Sequence, residues 1–581
     1  MTVRKVHSGA RALVIGFDVG TTFSGVSYSI LEPGQVPVIK SITRFPGQEH
    51  VSGDSKVPTA IWYDRDGMVR AEGAATTTGA YVDKAQDENW VHAKWFKLHL
   101  RPTRETPIHP LPHRKSATSV LADFLRYLFE CTKTFIEQTH PNGRDLWLSL
   151  ENSIQFVMAH PNGWEGKQQN QMRDAAIVAG LISTSEAEHD RLRFVTEGEA
   201  SLHFCIQNGL GLDSIARGDG IVVVDAGGGT IDLSTYRMVN KSNGHREYEE
   251  ISPPQCLFQG SIYVTERAKA YVAERLENSK YEADVEYIAS IYDSGPKLSF
   301  DGEELASIKF GSARDHDPGL GIRSGAFKIP ASDVRKFFEP SIAAVVAAVR
   351  EQCISALGTR ISSVFLVGGF AANDWLFSEL KSRLAPLRLD LVRPDTHVNK
   401  AVADGAVSFH IDHYVSVRVA RFTYGVVISE EYNKDKREHA DRGAKRFRGL
   451  NGQELIPNSF NAILRRGVKV AETKVFRHHY IKRSTQLALL DHFSIDLYTY
   501  RGSGDPQWLD VEPELYEVIC RIEGNTSAVR KYPIRRINVP NSEFYELDFE
   551  VVLSFGLTEL KAQISWEENN VEKRGPAQIL Y

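Results

Sequence analysis

The sequence predicts an α/β protein of two similarly built halves, followed by a smaller β-rich region. Three observations carry this. An apolar strand, a Gly/Thr turn and a second strand occur near the N-terminus and again past residue 220; each copy is followed downstream by a strand, a chain break and a helix; and after about residue 412 helical periodicity gives way to alternating, β-rich runs.

The first copy reads Leu13-Val14-Ile15-Gly16-Phe17-Asp18-Val19-Gly20-Thr21-Thr22 and continues through Ser24 to Ile30, a hairpin with an acidic, glycine-bearing tip. The second reads Ile221-Val222-Val223-Val224-Asp225-Ala226-Gly227-Gly228-Gly229-Thr230 and continues Ile231 to Tyr236. An echo between distant segments implies duplication of one building plan. In the first half, Ile154 to Ala159 is the following strand, Pro161-Asn162-Gly163 the break and Gln168 to Gly180 a helix, with Met172, Ala175, Ala176 and Ala179 on one face. In the second, Val364 to Val367 is the strand, Gly368-Gly369 the turn and Trp375 to Leu384 the helix. Helices are also expected over Val120 to Gln138 and Val264 to Leu276, with surface insertions at Arg101 to Lys115 and Arg314 to Gly325. The β-rich region should carry strands within Phe460 to Val470, Thr485 to Tyr500, Leu515 to Ile522 and Phe544 to Trp566, and Lys434 to Arg448 reads as a solvated charged loop.

Bulk properties narrow the functional classes. A chain of 581 residues exceeds what one core fills, so two or more lobes are expected. A net charge of −5 gives no long-range attraction to nucleic acid or an anionic membrane, and neither is expected as a partner. Arg4, Lys5 and Arg11 precede an apolar run, Ala12 to Phe17, too short for a signal-peptide core. Ser341 to Val349 is about half the length that spans a bilayer, and reads as a buried helix. The five cysteines are scattered without a C-x-x-C pair, which argues against a disulfide frame or zinc site and for a reducing, cytoplasmic setting.

The chemistry resides in the paired turns. Glycines there let backbone approach an oligophosphate, with N–H groups and threonine hydroxyls as donors: Gly20, Thr21, Thr22, Gly227, Gly228, Gly229 and Thr230 suit that role. One such turn alone is equally a tight hairpin; two related ones favour phosphate. Neither is a Walker A loop, since no Lys-Ser/Thr follows, and neither opens a helix as a dinucleotide fingerprint does. Asp18, Asp225 and Asp232 beside the tips would repel a bare triphosphate unless a cation lay between, and Mg²⁺, which keeps several waters, answers that conflict.

The set Gly16-Phe17-Asp18-Val19-Gly20-Thr21-Thr22-Phe23-Ser24, Asp225-Ala226-Gly227-Gly228-Gly229-Thr230-Ile231-Asp232 and Leu366-Val367-Gly368-Gly369-Phe370 resembles the nucleotide-binding domain of the heat-shock protein 70 family. Ala93-Lys94, His160-Pro161, Thr196-Glu197-Gly198-Glu199-Ala200 and Ala401-Val402-Ala403-Asp404-Gly405-Ala406 follow in the family's order. The resemblance implies a duplicated actin-like ATPase (ribonuclease H-like) domain of two lobes over residues 12–411, a tail at 1–11 and a β-rich C-terminal domain at 412–581. It implies ATP or ADP with Mg²⁺ in the cleft. Lys94 would position the attacking water, Glu197 and Asp232 would assist, Asp18 and Asp225 would serve the metal through water, and Phe23, Gly260, Lys297, Gly368, Gly369 and Phe370 would line the nucleotide site.

Departures from the family qualify this. After Gly368-Gly369 the usual adenine-packing arginine is missing, and Phe370-Ala371-Ala372-Asn373 stands instead, where Phe370 offers an aromatic face or simply core. The acidic leucine-rich linker, the helical lid and the acidic C-terminal tetrapeptide are not found, a pattern similar to the divergent family A member 12 branch. The expected activity is slow Mg-dependent ATP hydrolysis coupled to a protein client on the β domain, with a nucleotide-exchange factor as a further implied partner. Two other readings stay open: nucleotide binding without turnover, and a small-molecule kinase of the same superfamily.

Overall fold

A computed structural model describes residues 4–48, 55–101, 109–164, 166–185, 190–210, 218–240, 246–356, 358–394, 398–502, 504–535, 543–556, 559–576 and 578–579. The expected insertion at 101–115 thus falls partly outside the described residues. The chain separates into two compact units, one of residues 1–164 and 171–415, the other of 165–170 and 416–581.

The first unit is mixed α/β. Its first sheet runs, edge to edge, β3 (Lys40–Ser41), β2 (Phe23–Leu31), β1 (Ala12–Val19), β4 (Ile154–His160), β5 (Leu192–Thr196). β1 pairs antiparallel with β2, Asp18 opposite Gly25, and parallel with β4. The second sheet contains the succession β8 (Arg246–Leu257), β7 (Ile231–Asn240), β6 (Gly220–Ala226), β9 (Ile361–Val367), β10 (Asp390–Val392). Again the first hairpin strand pairs antiparallel with its successor and parallel with a distant strand, Asp225 opposite Asp232. The two sheets therefore repeat one another strand for strand. β1 and β6 sit centrally and are buried along nearly their whole lengths, which accounts for apolar runs without alternation.

Helices cover these sheets. They are α1 (Ala117–Thr139), α2 (Gly166–Ala179), α3 (Glu197–Gln207), α4 (Ser261–Leu276), α5 (Ala331–Ser355), α6 (Asp374–Leu384) and α7 (Ala401–Asp412). A Ser116/Ser119 capping box starts α1, and the Asn373 side chain caps α6. Around the first sheet Phe17, Phe124, Leu128 and Phe156 form one core; around the second, Val224, Phe338, Val345 and Leu366 form another. Helix α7 packs on α3 and β1 at very close range: a Cβ on Gly405 would stand 1.8 Å from Ala200 O, and one on Gly16 would stand 2.8 Å from Val407. Asp404 is half-buried on α7, accepting from Ser27 Oγ at 2.5 Å and Ser41 Oγ at 3.1 Å.

The second unit is mostly strand. One sheet joins Phe447–Arg448, Glu454–Leu464, Thr423–Glu431, His492–Tyr500 and Tyr516–Asn525; another joins Val475–Ser484, Glu543–Gly556, Glu559–Glu568 and Val571–Arg574. Leu497, Ile522, Val551, Leu553 and Ile564 form its core. One expectation is corrected. Residues 485–491 are not strand: Ala488–Asp491 makes a helical turn, with Leu490 buried, before the strand starts at His492. Lys434 to Arg448 is largely exposed, as expected of a solvated charged stretch, though it contains the short helix Arg437–Asp441 and several of its cations are engaged. Arg442 and Lys445 pair with Asp510, Arg446 with Glu454, and the Arg442 guanidinium lies 4.2 Å from the Trp508 ring centroid. All five cysteines carry free thiols. Among the described residues, no helix is long and apolar enough to cross a membrane.

Candidate functional site

The turns of the two repeated hairpins meet at one cavity of about 550 Å³. Gly20, Thr21, Thr22 and Phe23 line it from the β1–β2 turn, and Gly227, Gly228, Gly229 and Thr230 from the β6–β7 turn. The turns interlock. A Cβ on Gly228 would stand 2.3 Å from Thr22 Oγ1, and one on Gly229 would stand 2.3 Å from Thr21 Oγ1, so glycine there lets the opposing threonines close in. The carbonyls of the second turn are engaged by the start of α4. Gly260, Ser261 and Ile262 N–H donate to Gly229, Gly227 and Gly228 oxygens at 3.3, 3.1 and 3.0 Å. Gly227 N–H closes the turn by donating to Thr230 O at 2.9 Å, so what the turn has left to offer is the amide hydrogens beyond Gly227, the complement of an anion. Gly368 and Gly369, after β9, form a third wall. Gly368 has a φ of 92°, and a Cβ there would stand 2.4 Å from Asp225 Oδ1.

Buried charge surrounds these turns. Asp18 ends β1 and pairs with Lys56. Glu197, at the start of α3, accepts from Lys97 Nζ at 2.6 Å. Asp225 ends β6 and accepts from Ser201 Oγ at 2.8 Å. All five charged side chains line the cavity. Burial first, then the Glu197 charge, pushes the Asp225 carboxyl well above the usual range, with Ser201 opposing. Burial disfavours the Lys97 ammonium, but Glu197, Asp18 and Asp232 outweigh it and hold Lys97 protonated. Two ammonium groups thus face an acid cluster in a largely desolvated space.

Of the residues expected at the site, Asp18, Gly20, Thr21, Thr22, Phe23, Glu197, Asp225, Gly227, Gly228, Gly229, Thr230, Gly368 and Gly369 come together here. Five do not line the cavity. Lys94 ends the strand Val91–Lys94, paired to Ala60–Tyr63, and its ammonium lies 5.2 Å from the Trp95 ring centroid. Trp95, at φ 56°, turns the chain into the tight helical turn Phe96–Leu100, and that turn carries Lys97 to the cavity instead. Asp232 is fully buried behind the hairpin, accepting from Asn162 N–H at 2.6 Å. Burial and then the Glu197 charge push it up to about 7. Gly260 supports the glycine turn from beneath: a Cβ there would stand 2.4 Å from Gly228 O. Lys297 is buried against Asp293 and donates to Thr265 Oγ1 at 3.2 Å. Phe370 is core, its ring centroid 6.0 Å from that of Phe338.

The structure adds lining residues that were not expected at the site: Lys56, Lys97, Ala372, Arg393, Pro394, Asn399 and Val402. For Lys97 a signal existed, since it sits in the same basic-aromatic segment as Lys94. Arg393 and Asn399 follow β10, and no motif marked them.

The donor set fits an anionic guest with a hydrated cation better than a directly ligated metal. Among the described residues, no group of three or more His, Cys, Asp or Glu side chains is arranged to hold a metal ion. Asp18 and Asp225 can serve Mg²⁺ through its water shell, which this ion retains readily.

Comparison with known proteins shows what the chain is similar to. No protein-family model matches the chain. The chain is 22% identical to mouse heat shock 70 kDa protein 12A over 95% of its own length and 89% of that protein's. It is 22% identical to human heat shock 70 kDa protein 12B over 74% of its length and 73% of the relative's. Chaperone protein DnaK of Stenotrophomonas maltophilia (strain R551-3) matches at 24% over 61% of this chain and 53% of DnaK. Over most of its length, then, the chain is similar to divergent heat shock 70 kDa proteins of the 12A and 12B type.

Proposed function

We propose that this protein binds Mg-ATP in the cavity between the two glycine–threonine turns, within a two-lobed actin-like domain, and hydrolyses it slowly. The observation that supports this most directly is the interlocking of Thr21 and Thr22 with Gly229 and Gly228 at a cavity that also holds Lys97, Glu197, Asp18 and Asp225. A volume of about 550 Å³ suits a nucleotide-sized ligand. In this reading the turn amides and threonine hydroxyls hold the phosphates. Magnesium, when bound, supplies charge neutralisation at the phosphate oxygens. Lys97, held protonated by Glu197, orients the attacking water and stabilises negative charge, while the buried surroundings exclude bulk solvent. Phosphoryl transfer needs mainly such positioning, so this inventory suffices for low turnover. The β-rich region at 412–581 is proposed to engage a protein client, with nucleotide state as the control.

A second reading, nucleotide binding without turnover, draws on the Lys56–Asp18 pair, which puts an ammonium group on an acid expected to serve the metal. Phosphate release from Mg-ATP without any added acceptor separates these. Slow release that falls by about a hundredfold in Lys97→Ala, with ATP binding retained, supports hydrolysis. Binding without release in the wild type supports the second reading, and release only with an added small-molecule acceptor contradicts both.

A further inference from the structure

A second cavity, of about 590 Å³, shares no lining residue with that of the glycine turns. It runs along one side of α1, where Asp123, Tyr127, Cys131 and Phe135 follow one another at four-residue spacing, and Ala71, Glu72 and Tyr81 join its lining from the segment before α1. The two parts approach closely: the chain turns at Gly73, φ 58°, and a Cβ there would stand 2.4 Å from Tyr127 Oη. The charges lining this cavity are unequally matched. Asp123 accepts from Tyr63 Oη at 2.9 Å, Lys115 Nζ at 2.8 Å and Arg126 at 3.1 Å, and Arg70 is paired with Asp64. Glu72 has no such partner. Among the described residues its carboxylate makes no hydrogen bond or ion pair, and it does not cap the helical turn Gly73–Thr77 that follows. Yet it is half-buried, and burial first, then the Asp123 charge, pushes its carboxyl up to about 7, with Arg126 opposing. Arg44 and Glu130 also lack an ion-pair partner among the described residues, but both are exposed, so water meets their charges. Burial therefore sets the sign of the guest: a carboxylate drawn from water without a donor is costly, and a positive charge relieves it.

We propose that this cavity binds a small organic ammonium ion, whose N–H groups donate to the Glu72 carboxylate and whose apolar body lies against Tyr81 and Phe135. The rings add attraction of their own, since the face of an aromatic ring favours a cation and disfavours an anion. A bare metal ion is a poorer match. It would need several oxygen ligands, and among the described residues no group of three or more His, Cys, Asp or Glu side chains is arranged to supply them. The site stands independently of the nucleotide reading.

The test is calorimetric titration of the full chain at pH 8, where Glu72 is ionised, with three probes that share one skeleton: 2-phenylethylamine, 2-phenylethanol and 3-phenylpropionate. The ammonium probe is expected to bind at least about tenfold tighter than the alcohol, with the carboxylate weakest. Glu72→Gln should bring the amine within about twofold of the alcohol and leave the alcohol's affinity unchanged, which also shows that the variant is folded. Tyr81→Ala, at a half-exposed position, should weaken amine and alcohol together by about threefold. An amine that binds no tighter than the alcohol, a carboxylate that binds tightest, or a wild type that binds none of the three overturns the proposal without recourse to any variant. An ammonium preference that survives intact in Glu72→Gln overturns it as well.

Discussion

At the scale of single residues, Lys94 and Lys97 show how a register of three positions decides a role. Both sit in Val91 to Leu100, but strand pairing holds Lys94 beside Trp95, and the left-handed turn at Trp95 sends Lys97 to Glu197. Lys94→Ala should therefore leave phosphate release within about threefold of wild type, while Lys97→Ala lowers it by about a hundredfold; equal losses would contradict the assignment. Asp232 offers a second test, through pH. Its carboxyl is pushed from 3.8 to about 7 in the fold. A raised acid binds its proton more tightly when folded, so its stabilising contribution is complete below about pH 4 and is lost as pH rises through 7. At about 1.4 kcal/mol per pK unit, the loss is on the order of 4 kcal/mol at most. The ligand-free protein should melt progressively lower between about pH 4 and 7, and Asp232→Asn should flatten that slope in a melting series. A parallel slope in the variant would remove Asp232 as its source.

At the scale of elements, glycines set how closely the pieces approach. The contact of α7 with α3 depends on Gly405, where any side chain meets the Ala200 carbonyl, and β1 admits α7 only because position 16 lacks a Cβ. Gly405→Val should cost about 3 kcal/mol or more, seen as a lowered denaturant midpoint with an unchanged slope; no change would mean that the helices can part. These same glycines made much of the fold legible in the sequence. Gly20, Gly227 to Gly229 and Gly368 stand where backbones or ligands come close, and the apolar runs of β1 and β6 marked buried central strands. Lys56, Arg393 and Asn399 were not legible, because they reach the cavity from positions just before or after a short strand or in the turn before a helix, which local pattern does not encode. Phe370, which the sequence left as either a ligand face or core, turns inward to Phe338, as an aromatic at a strand end does when a core lies beneath it. In the β-rich region, the helical turn at 488–491 escaped notice because Leu489 and Leu490 read equally well as strand.

At the scale of the whole molecule, two sheets of the same strand order put two equivalent turns face to face, and the acids ending β1 and β6 are brought to one cavity by that repetition. Relatives at 22% identity cover 95% and 74% of the chain, so the resemblance runs well beyond the turns themselves. The proposed function asks more of the cavity than fold alone: a place where ligand binding is felt by the structure that surrounds it. Thermal unfolding of the full chain with and without Mg-ATP measures this directly. At about a hundred times the dissociation constant, the ligand should add roughly 2.7 kcal/mol of stability and raise the melting midpoint, and Gly228→Val, which would drive a side chain into Thr22, should remove the shift. An unchanged midpoint in the wild type at millimolar Mg-ATP would contradict nucleotide binding in this cavity.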